Sequence, residues 1–176
     1  KYIDHTLLKA TATENDVLQL CREAVDYHFY AVCVNSCYVG LCNDALNASC
    51  NNKQDAYNAS IQIASVVGFP LGAMDTLSKI KEAEHAIKNG ASEIDMVINI
   101  GFLKDKKYDL VEHEIRQIKQ AIGNGILKVI IETCYLTDEE KKMATQLTVN
   151  AGADFVKTST GFGTGGATID DIQLMK

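Results

Sequence analysis

Residues 154–166 read D-F-V-K-T-S-T-G-F-G-T-G-G and join a short apolar stretch to a loop rich in threonine and glycine. The first part carries aromatic and β-branched side chains, which favour a buried β-strand. Glycines in the second part allow the backbone to approach a ligand closely. Hydroxyl and backbone N–H groups in such a loop suit a phosphate. The stretch therefore predicts a strand that ends at an anion-binding loop.

Lys157 lies within the apolar part of this stretch. Lysine is seldom fully buried in proteins. Burial disfavours the ammonium form, and a neutral amine can attack a carbonyl carbon to form a Schiff base. Lys157 is therefore a candidate nucleophile. The alternative is a lysine at the end of a strand whose amine reaches water, followed by an ordinary loop.

Strands and helices alternate through the rest of the chain, with strand centres roughly 30 residues apart, as in repeated βα units. This period predicts a parallel sheet. The predicted strands are residues 2–6, 31–35, 61–67, 93–99, 127–133 and 155–159. Helices are predicted over 14–28, 36–48, 75–89, 108–122 and 137–150, with a further helix starting at 168 and a loop over 47–58. Thr13 and Thr137 are predicted N-caps, the second in a capping box with Glu140.

Two α/β architectures are consistent with this pattern, an open doubly wound sheet and a (β/α)₈ barrel. The length of 176 residues favours the open sheet, because barrels usually need at least about 200 residues. The strand faces favour the barrel, because an open sheet covered by helices should be apolar on both faces. One face of most strands is polar here, through Asp4 and Thr6, Cys33 and Asn35, Glu93, Asp95 and Asn99, Lys128 and Glu132, and Lys157 and Ser159. Charges inside a barrel indicate a site, although some could be strand-end caps or internal salt bridges.

Composition restricts the class of protein. The net charge of −6 argues against a nucleic-acid surface, and no apolar run is long enough to span a membrane. The six cysteines lack C-x-x-C spacing, and the histidines form no H-E-x-x-H pair, so no metal site is expected. We expect reduced thiols in a cytoplasmic protein. Residues 161–166 match G-x-G-x-x-G, but this match follows the last strand, where a phosphate loop fits better than a dinucleotide fingerprint.

Six segments together resemble the deoxyribose-phosphate aldolases, in the family's order and from one end of the chain to the other. They are I-D-H-T-L-L-K at 3–9, V-C-V-N at 32–35, S-V-V-G-F-P-L-G at 65–72, E-I-D-M-V-I-N-I-G at 93–101, K-V-I-I-E-T at 128–133 and F-V-K-T-S-T-G-F at 155–162. The resemblance implies a (β/α)₈ barrel, with about six of its eight βα units in one domain over residues 1–176. It also implies cleavage of 2-deoxyribose 5-phosphate to glyceraldehyde 3-phosphate and acetaldehyde, in deoxynucleoside catabolism, without a metal or organic cofactor.

The resemblance also assigns candidate site residues. Lys157 corresponds to the Schiff-base lysine, Asp95 to a carboxylate in proton transfer, and Lys128 to a lysine linked to the same relay. The predicted substrate-binding residues are Asp4, Thr6, Cys33, Thr158, Thr160 and Gly161. Asp95 with an ordered water, or a nearby lysine, could act as the base and then as the acid.

The resemblance departs from the family at the C-terminal end. The family continues with a seventh strand that bears a second lysine and with an eighth strand, and both add phosphate-binding residues. We therefore expect a biological chain that is roughly 40–80 residues longer, with the first and sixth strands apart. A homodimer is the expected assembly. The alternative functions are another Schiff-base aldolase acting on a phosphorylated sugar, and a non-catalytic phosphate-binding α/β domain.

Overall fold

Parallel strands alternate with helices through the chain, as the repeated apolar segments predict. The computed structural model describes residues 2–50 and 61–176. The predicted loop over 47–58 lies mostly outside these residues, and its first residues belong to a helix. The strands are β1 (Asp4–Leu7), β2 (Ala31–Val34), β3 (Gln62–Val67), β4 (Glu93–Val97), β5 (Ile126–Ile130) and β6 (Phe155–Lys157).

Helices connect successive strands, and capping groups account for where several of them begin. They are α1 (Glu14–Asp26), α2 (Val39–Cys50), α3 (Thr76–Lys88), α4 (Ile100–Lys104), α5 (Tyr108–Ala121), α6 (Asp138–Asn150) and α7 (Ile169–Leu174). Thr13 and Thr137 each cap a helix in a capping box, with Asp16 and Glu140 as the partners. Both predicted N-caps are thus confirmed, because a threonine hydroxyl accepts an N–H that the first helical turn leaves free. In the described part of the chain, no helix has both the length and the apolar character needed to cross a membrane.

The order of the strands distinguishes between the two predicted architectures. The six-stranded sheet has the order β1-β2-β3-β4-β5-β6, which is also the order along the chain. A doubly wound sheet reverses its strand order at a switch point, and no reversal occurs among these strands. The prediction of an α/β fold of the barrel type, with about six βα units, is confirmed. β1 and β6 stand at the two ends of the order, as expected.

The chain divides into two compact units, Lys1–Val66 with His85–Ile94 and Val67–Glu84 with Asp95–Lys176. In the first unit, all four residues of β2 are buried. The buried stripe of α1 consists of Val17, Leu20, Cys21 and Ala24, the i, i+3, i+4, i+7 spacing of an apolar helix face. Parallel β1 and β2 pair Thr6 with Cys33. The prediction of one domain over residues 1–176 stays a prediction.

The second unit buries the apolar side chains of α5 together with those of β5. Val111, Ile115 and Ile118 are fully buried on α5, as are Leu127 and Val129 on β5. β5 and β6 are parallel and pair Ile130 with Lys157. Burial of these aliphatic side chains, each contributing about 1.5–3 kcal/mol, fixes the position of the strand that carries Lys128.

Several element boundaries differ from the prediction, and two of them lie next to the charged side chains. β5 ends at Ile130 instead of residue 133, because Glu132 adopts a left-handed conformation with φ 55°. β6 ends at Lys157 instead of residue 159, and its continuation is a loop. The short helix α4 was not predicted, since its five residues are too few to show a period.

Candidate active site

Three charged side chains on neighbouring strands of the second unit lie in contact. Lys157 Nζ on β6 donates to Asp95 Oδ2 on β4 at 2.6 Å. Lys128 Nζ on β5 lies 3.1 Å from Asp95 Oδ1, and the two atoms form an ion pair. Their geometry is not that of a hydrogen bond. One carboxylate therefore lies between two amines, one at each oxygen. The shared strand face predicted for Asp95, Lys128 and Lys157 accounts for this meeting.

The three groups differ in their exposure. The Asp95 side chain is fully buried, whereas that of Lys128 is 12% exposed and that of Lys157 is 36% exposed. A buried carboxylate without a cation costs several kcal/mol, so the two lysines account for its burial. Lys157 is the last residue of the three-residue strand β6 and remains paired with the carboxylate. The expectation of a desolvated Lys157 stays a prediction.

The loop after Lys157 contains the predicted residues Thr158, Thr160 and Gly161. The Thr158 carbonyl accepts the backbone N–H of Thr133 at 2.9 Å. The Thr160 hydroxyl accepts the N–H of Phe162 at 3.0 Å. Gly161 has φ 84° and is exposed, a conformation that favours glycine. The loop thus follows the lysine directly and is held by defined hydrogen bonds.

The substrate-binding residues predicted on β1 and β2 belong to the first unit. The Thr6 hydroxyl donates to the carbonyl of Asp4 at 2.9 Å. Thr6 is exposed, and Cys33, its register partner, is fully buried and forms no disulfide bond with another described cysteine. The substrate-binding role of Asp4, Thr6 and Cys33 stays a prediction.

Glu132 and Ser159 lie near Lys157. The sequence puts both of them on the polar strand face but indicates no role for either. Glu132 is buried, and its carboxylate accepts both the N–H and the hydroxyl of Thr160. Strand alternation places Glu132 on the face of Lys128, but its left-handed backbone turns it toward the loop instead. Ser159 Oγ is buried and has no hydrogen-bond partner in the described residues. An unpaired buried hydroxyl is costly, so Ser159 is a candidate group for contact with a ligand.

A second lysine–glutamate cluster in this unit is structural. Lys79 Nζ donates to Glu114 Oε2 at 2.9 Å and to the Val97 carbonyl at 2.8 Å, and both side chains are buried. Burial lowers the pKa of Lys79 and raises the pKa of Glu114. Gly68, with φ 64°, packs on the lysine, since a Cβ there would lie 2.7 Å from Lys79 Cε. The pair is enclosed by protein, so it has no room for a substrate. Sequence periodicity did not indicate it, because the partners are 35 positions apart.

The described residues contain no group of three or more histidine, cysteine, aspartate or glutamate side chains that could hold a metal ion. Within the cluster around Asp95, a neutral lysine amine can form an imine, and a carboxylate in contact with it can transfer a proton.

Comparison with known proteins identifies a family for the whole chain. The sequence model of one family, described as DeoC/LacD family aldolase, matches residues 1–176. The deoxyribose-phosphate aldolase of Finegoldia magna is 57% identical over 176 residues, which cover 100% of this chain and 78% of that protein. The match thus includes the segments that contain all three charged groups.

Two solved structures are also similar. A crystal structure from Coccidioides immitis, provisionally assigned as a deoxyribose-phosphate aldolase, is 41% identical with a TM-score of 0.90 and covers 98% of this chain and 64% of that one. The deoxyribose phosphate aldolase of Aeropyrum pernix, described as a tetramer, is 31% identical with a TM-score of 0.83 and covers 98% of this chain and 68% of that one. The chain therefore spans less than two thirds of the first structure's length and about three quarters of the Finegoldia relative's.

Proposed function

The chain belongs to the DeoC/LacD family of aldolases, and from this premise we propose that it cleaves 2-deoxy-D-ribose 5-phosphate to D-glyceraldehyde 3-phosphate and acetaldehyde. The observation that carries the proposal is the 2.6 Å contact between Lys157 Nζ and Asp95 Oδ2, with Lys128 at the other carboxylate oxygen. Lys157 is the nucleophile, and Asp95 is the proton-transfer group.

The first half of the reaction makes an imine. Asp95 accepts a proton from the Lys157 ammonium, and the neutral amine attacks the C1 aldehyde of the open-chain sugar. The carbinolamine loses water, and the resulting iminium carries a positive charge at the position of the former ammonium. The departing hydroxyl takes that proton from Asp95 and leaves as water, so the Asp95 carboxylate is ionised again beside the iminium, with Lys128 at its other oxygen. Such fixed charges stabilise the developing iminium without reorganising.

The second half of the reaction breaks the C2–C3 bond. A base removes the C3 hydroxyl proton, the C2–C3 electron pair moves into the iminium, and glyceraldehyde 3-phosphate leaves. The remaining enamine takes a proton at C2, and water hydrolyses the iminium to release acetaldehyde and regenerate Lys157. Asp95, directly or through a water, exchanges both protons in this proposal, which its contact with the Lys157 amine supports.

Lys157 is preferred to Lys128 as the nucleophile because it directly precedes the Thr/Gly loop. In that loop the N–H groups of Gly161, Gly163 and Thr164 donate to no other described residue. Free, closely spaced N–H groups can bind a phosphate. The nucleophile and the group that binds the sugar phosphate would then be adjacent in the chain.

Trapping with borohydride tests the nucleophile. Borohydride added together with acetaldehyde should leave a stable two-carbon adduct on Lys157, because reduction converts the imine into a secondary amine. Peptide mass spectrometry locates the adduct. An adduct on Lys128, or on neither lysine, would contradict the assignment. Acetaldehyde among the products separates this reaction from that of another Schiff-base aldolase.

Replacing Asp95 by asparagine should lower turnover by roughly 10²–10⁴-fold. Asparagine fills the same volume but cannot exchange protons at the pH of the reaction. Steady-state release of acetaldehyde measures the loss, and circular dichroism checks the fold. Turnover within a factor of about ten of the wild type would show that another group moves the protons.

The assembly and location of the protein are also proposed here. We propose a cytoplasmic homo-oligomer with a dimer as its smallest form. The free thiols of Cys21, Cys33 and Cys42 support a reducing compartment. The tetrameric Aeropyrum pernix relative supports association. Sedimentation equilibrium distinguishes a dimer from a tetramer.

A further inference from the structure

Glu132 lies behind the loop that follows Lys157, and its carboxylate is almost fully enclosed. Its residue exposure is 2%. The Thr160 N–H donates to both carboxylate oxygens, at 3.3 and 3.2 Å, and the Thr160 hydroxyl donates to Oε2. The Cys134 thiol donates weakly to Oε1 at 3.8 Å. Every partner is a donor, which matches an ionised carboxylate that can only accept.

The backbone at Glu132 is held in a conformation that a glutamate rarely adopts. Its φ is 55° and its ψ 69°, in the left-handed region. This conformation is unfavourable for a residue with a Cβ, so the contacts around it must maintain it. Its effect is to direct the side chain toward Thr160 and away from the strand face that carries Lys128.

The bonds to Glu132 determine which N–H groups of the loop stay free. Because the Thr160 N–H and hydroxyl both point to the carboxylate, the Thr160 oxygen can accept the N–H of Phe162, at 3.0 Å. The N–H groups of Gly161 and Gly163 then remain without a partner in the described residues. The N–H groups of Thr160 and Phe162 thus form hydrogen bonds within the protein, whereas those of Gly161 and Gly163 are available to an anion.

Gly163 completes the contact between the loop and Glu132. A Cβ at Gly163 would lie 3.1 Å from Glu132 Cδ and 2.7 Å from Cys134 Sγ. A larger residue would therefore require the side chain of Cys134 or of Glu132 to shift. On its other side, the loop is held by an edge-to-face contact between Phe162 and Phe69, with ring centroids 5.3 Å apart.

We propose that Glu132 is a positioning residue that sets the conformation of the loop 158–166 for the phosphate of the substrate, without touching the reacting carbon. The inference rests on the proposed function, because it names the residue behind that function's phosphate loop. Both carboxylate oxygens are occupied by loop groups, and its described partners include neither Lys128 nor Lys157. Glu132 thus contributes to the preference for a phosphorylated sugar, whereas Lys157 and Asp95 carry the chemistry.

Replacing Glu132 by glutamine tests this role, because one acceptor oxygen becomes an NH₂ group facing the donors of Thr160. The ratio of kcat/KM for 2-deoxyribose 5-phosphate to that for unphosphorylated 2-deoxyribose should fall by about 10–100-fold, the effect of losing a hydrogen bond to a charged group. The fall should come from KM for the phosphorylated sugar. Borohydride trapping of acetaldehyde on Lys157, which needs no phosphate, should be unchanged.

Further variants keep the test decisive if E132Q folds poorly. Thr160→Val removes the hydroxyl that donates to Glu132. It should also lower the ratio of kcat/KM for the phosphorylated sugar to that for the unphosphorylated sugar. The double variant should lose less than the sum of the single losses, since both act on one bond. Glu140→Gln is the matched control, because Glu140 also accepts a threonine N–H, that of Thr137 at 2.8 Å, but at the start of α6. It should leave the ratio unchanged.

The outcomes separate this inference from the proposed function. A wild-type protein that releases no acetaldehyde from 2-deoxyribose 5-phosphate would contradict the proposed function. Binding of inorganic phosphate, measured by calorimetry, needs no turnover and should weaken in E132Q. Equal phosphate affinity in E132Q and wild type would overturn the inference, as would an equal loss for phosphorylated and unphosphorylated sugar.

Discussion

Replacing Lys157 by arginine abolishes release of acetaldehyde from 2-deoxyribose 5-phosphate, with a fall in kcat on the order of 10⁴–10⁶-fold, as when other enzymes lose a nucleophile. Arginine keeps the positive charge beside the buried Asp95 carboxylate, so the ion pair is retained. Its guanidinium is always protonated and cannot form an imine. The variant should therefore keep its fold and its unfolding midpoint while losing all borohydride-dependent labelling.

Lys119→Arg is the matched control for this experiment. Lys119 also pairs with an aspartate at 2.6 Å, Asp154, next to β6 but away from Asp95. Its replacement should leave kcat unchanged, because the pair lies on the surface and takes no part in the chemistry. Substantial turnover by K157R, with the site intact, would mean that Schiff-base formation does not use Lys157.

Replacing Glu114 by alanine destabilises the protein by about 3–5 kcal/mol, the cost of leaving one charge of a buried pair without its partner. The Lys79 ammonium is fully buried and would retain only the Val97 carbonyl. Stabilities of single domains are only about 5–15 kcal/mol, so the loss is a large fraction of the total. Urea unfolding, followed by circular dichroism, measures this loss of stability. The midpoint urea concentration should fall while the dependence of the free energy of unfolding on urea keeps its slope.

Two control variants separate the buried charge from the loss of a side chain. Glu112→Ala on the same helix removes a partly exposed partner of Arg116 and should cost about 0–1 kcal/mol. Lys79→Met combined with Glu114→Leu removes both charges at similar volume, and should be close to neutral or stabilising. If E114A costs no more than Glu112→Ala, the buried pair contributes nothing to stability.

Several features followed from the sequence because their signals are local. Thr13 and Thr137 begin helices since a hydroxyl at that position accepts an N–H of the first turn. Alternation along β4, β5 and β6 predicts that Asp95, Lys128 and Lys157 share one face of the sheet. Their meeting at 2.6 and 3.1 Å agrees with that alternation. Spacing along a strand determines the direction of a side chain as long as the strand stays regular.

Only the tertiary structure determined which groups meet where the strands end or the partners are distant. Alternation placed Glu132 beside Lys128, but one left-handed residue directs its carboxylate to Thr160. Lys79 and Glu114 belong to different helices, and no short-range pattern joins them. The sequence by itself therefore determined the βα repeat and the polar strand face, because both depend on residues a few positions apart. The partners of each charge depend on how distant segments pack, and a local pattern carries no information on that packing.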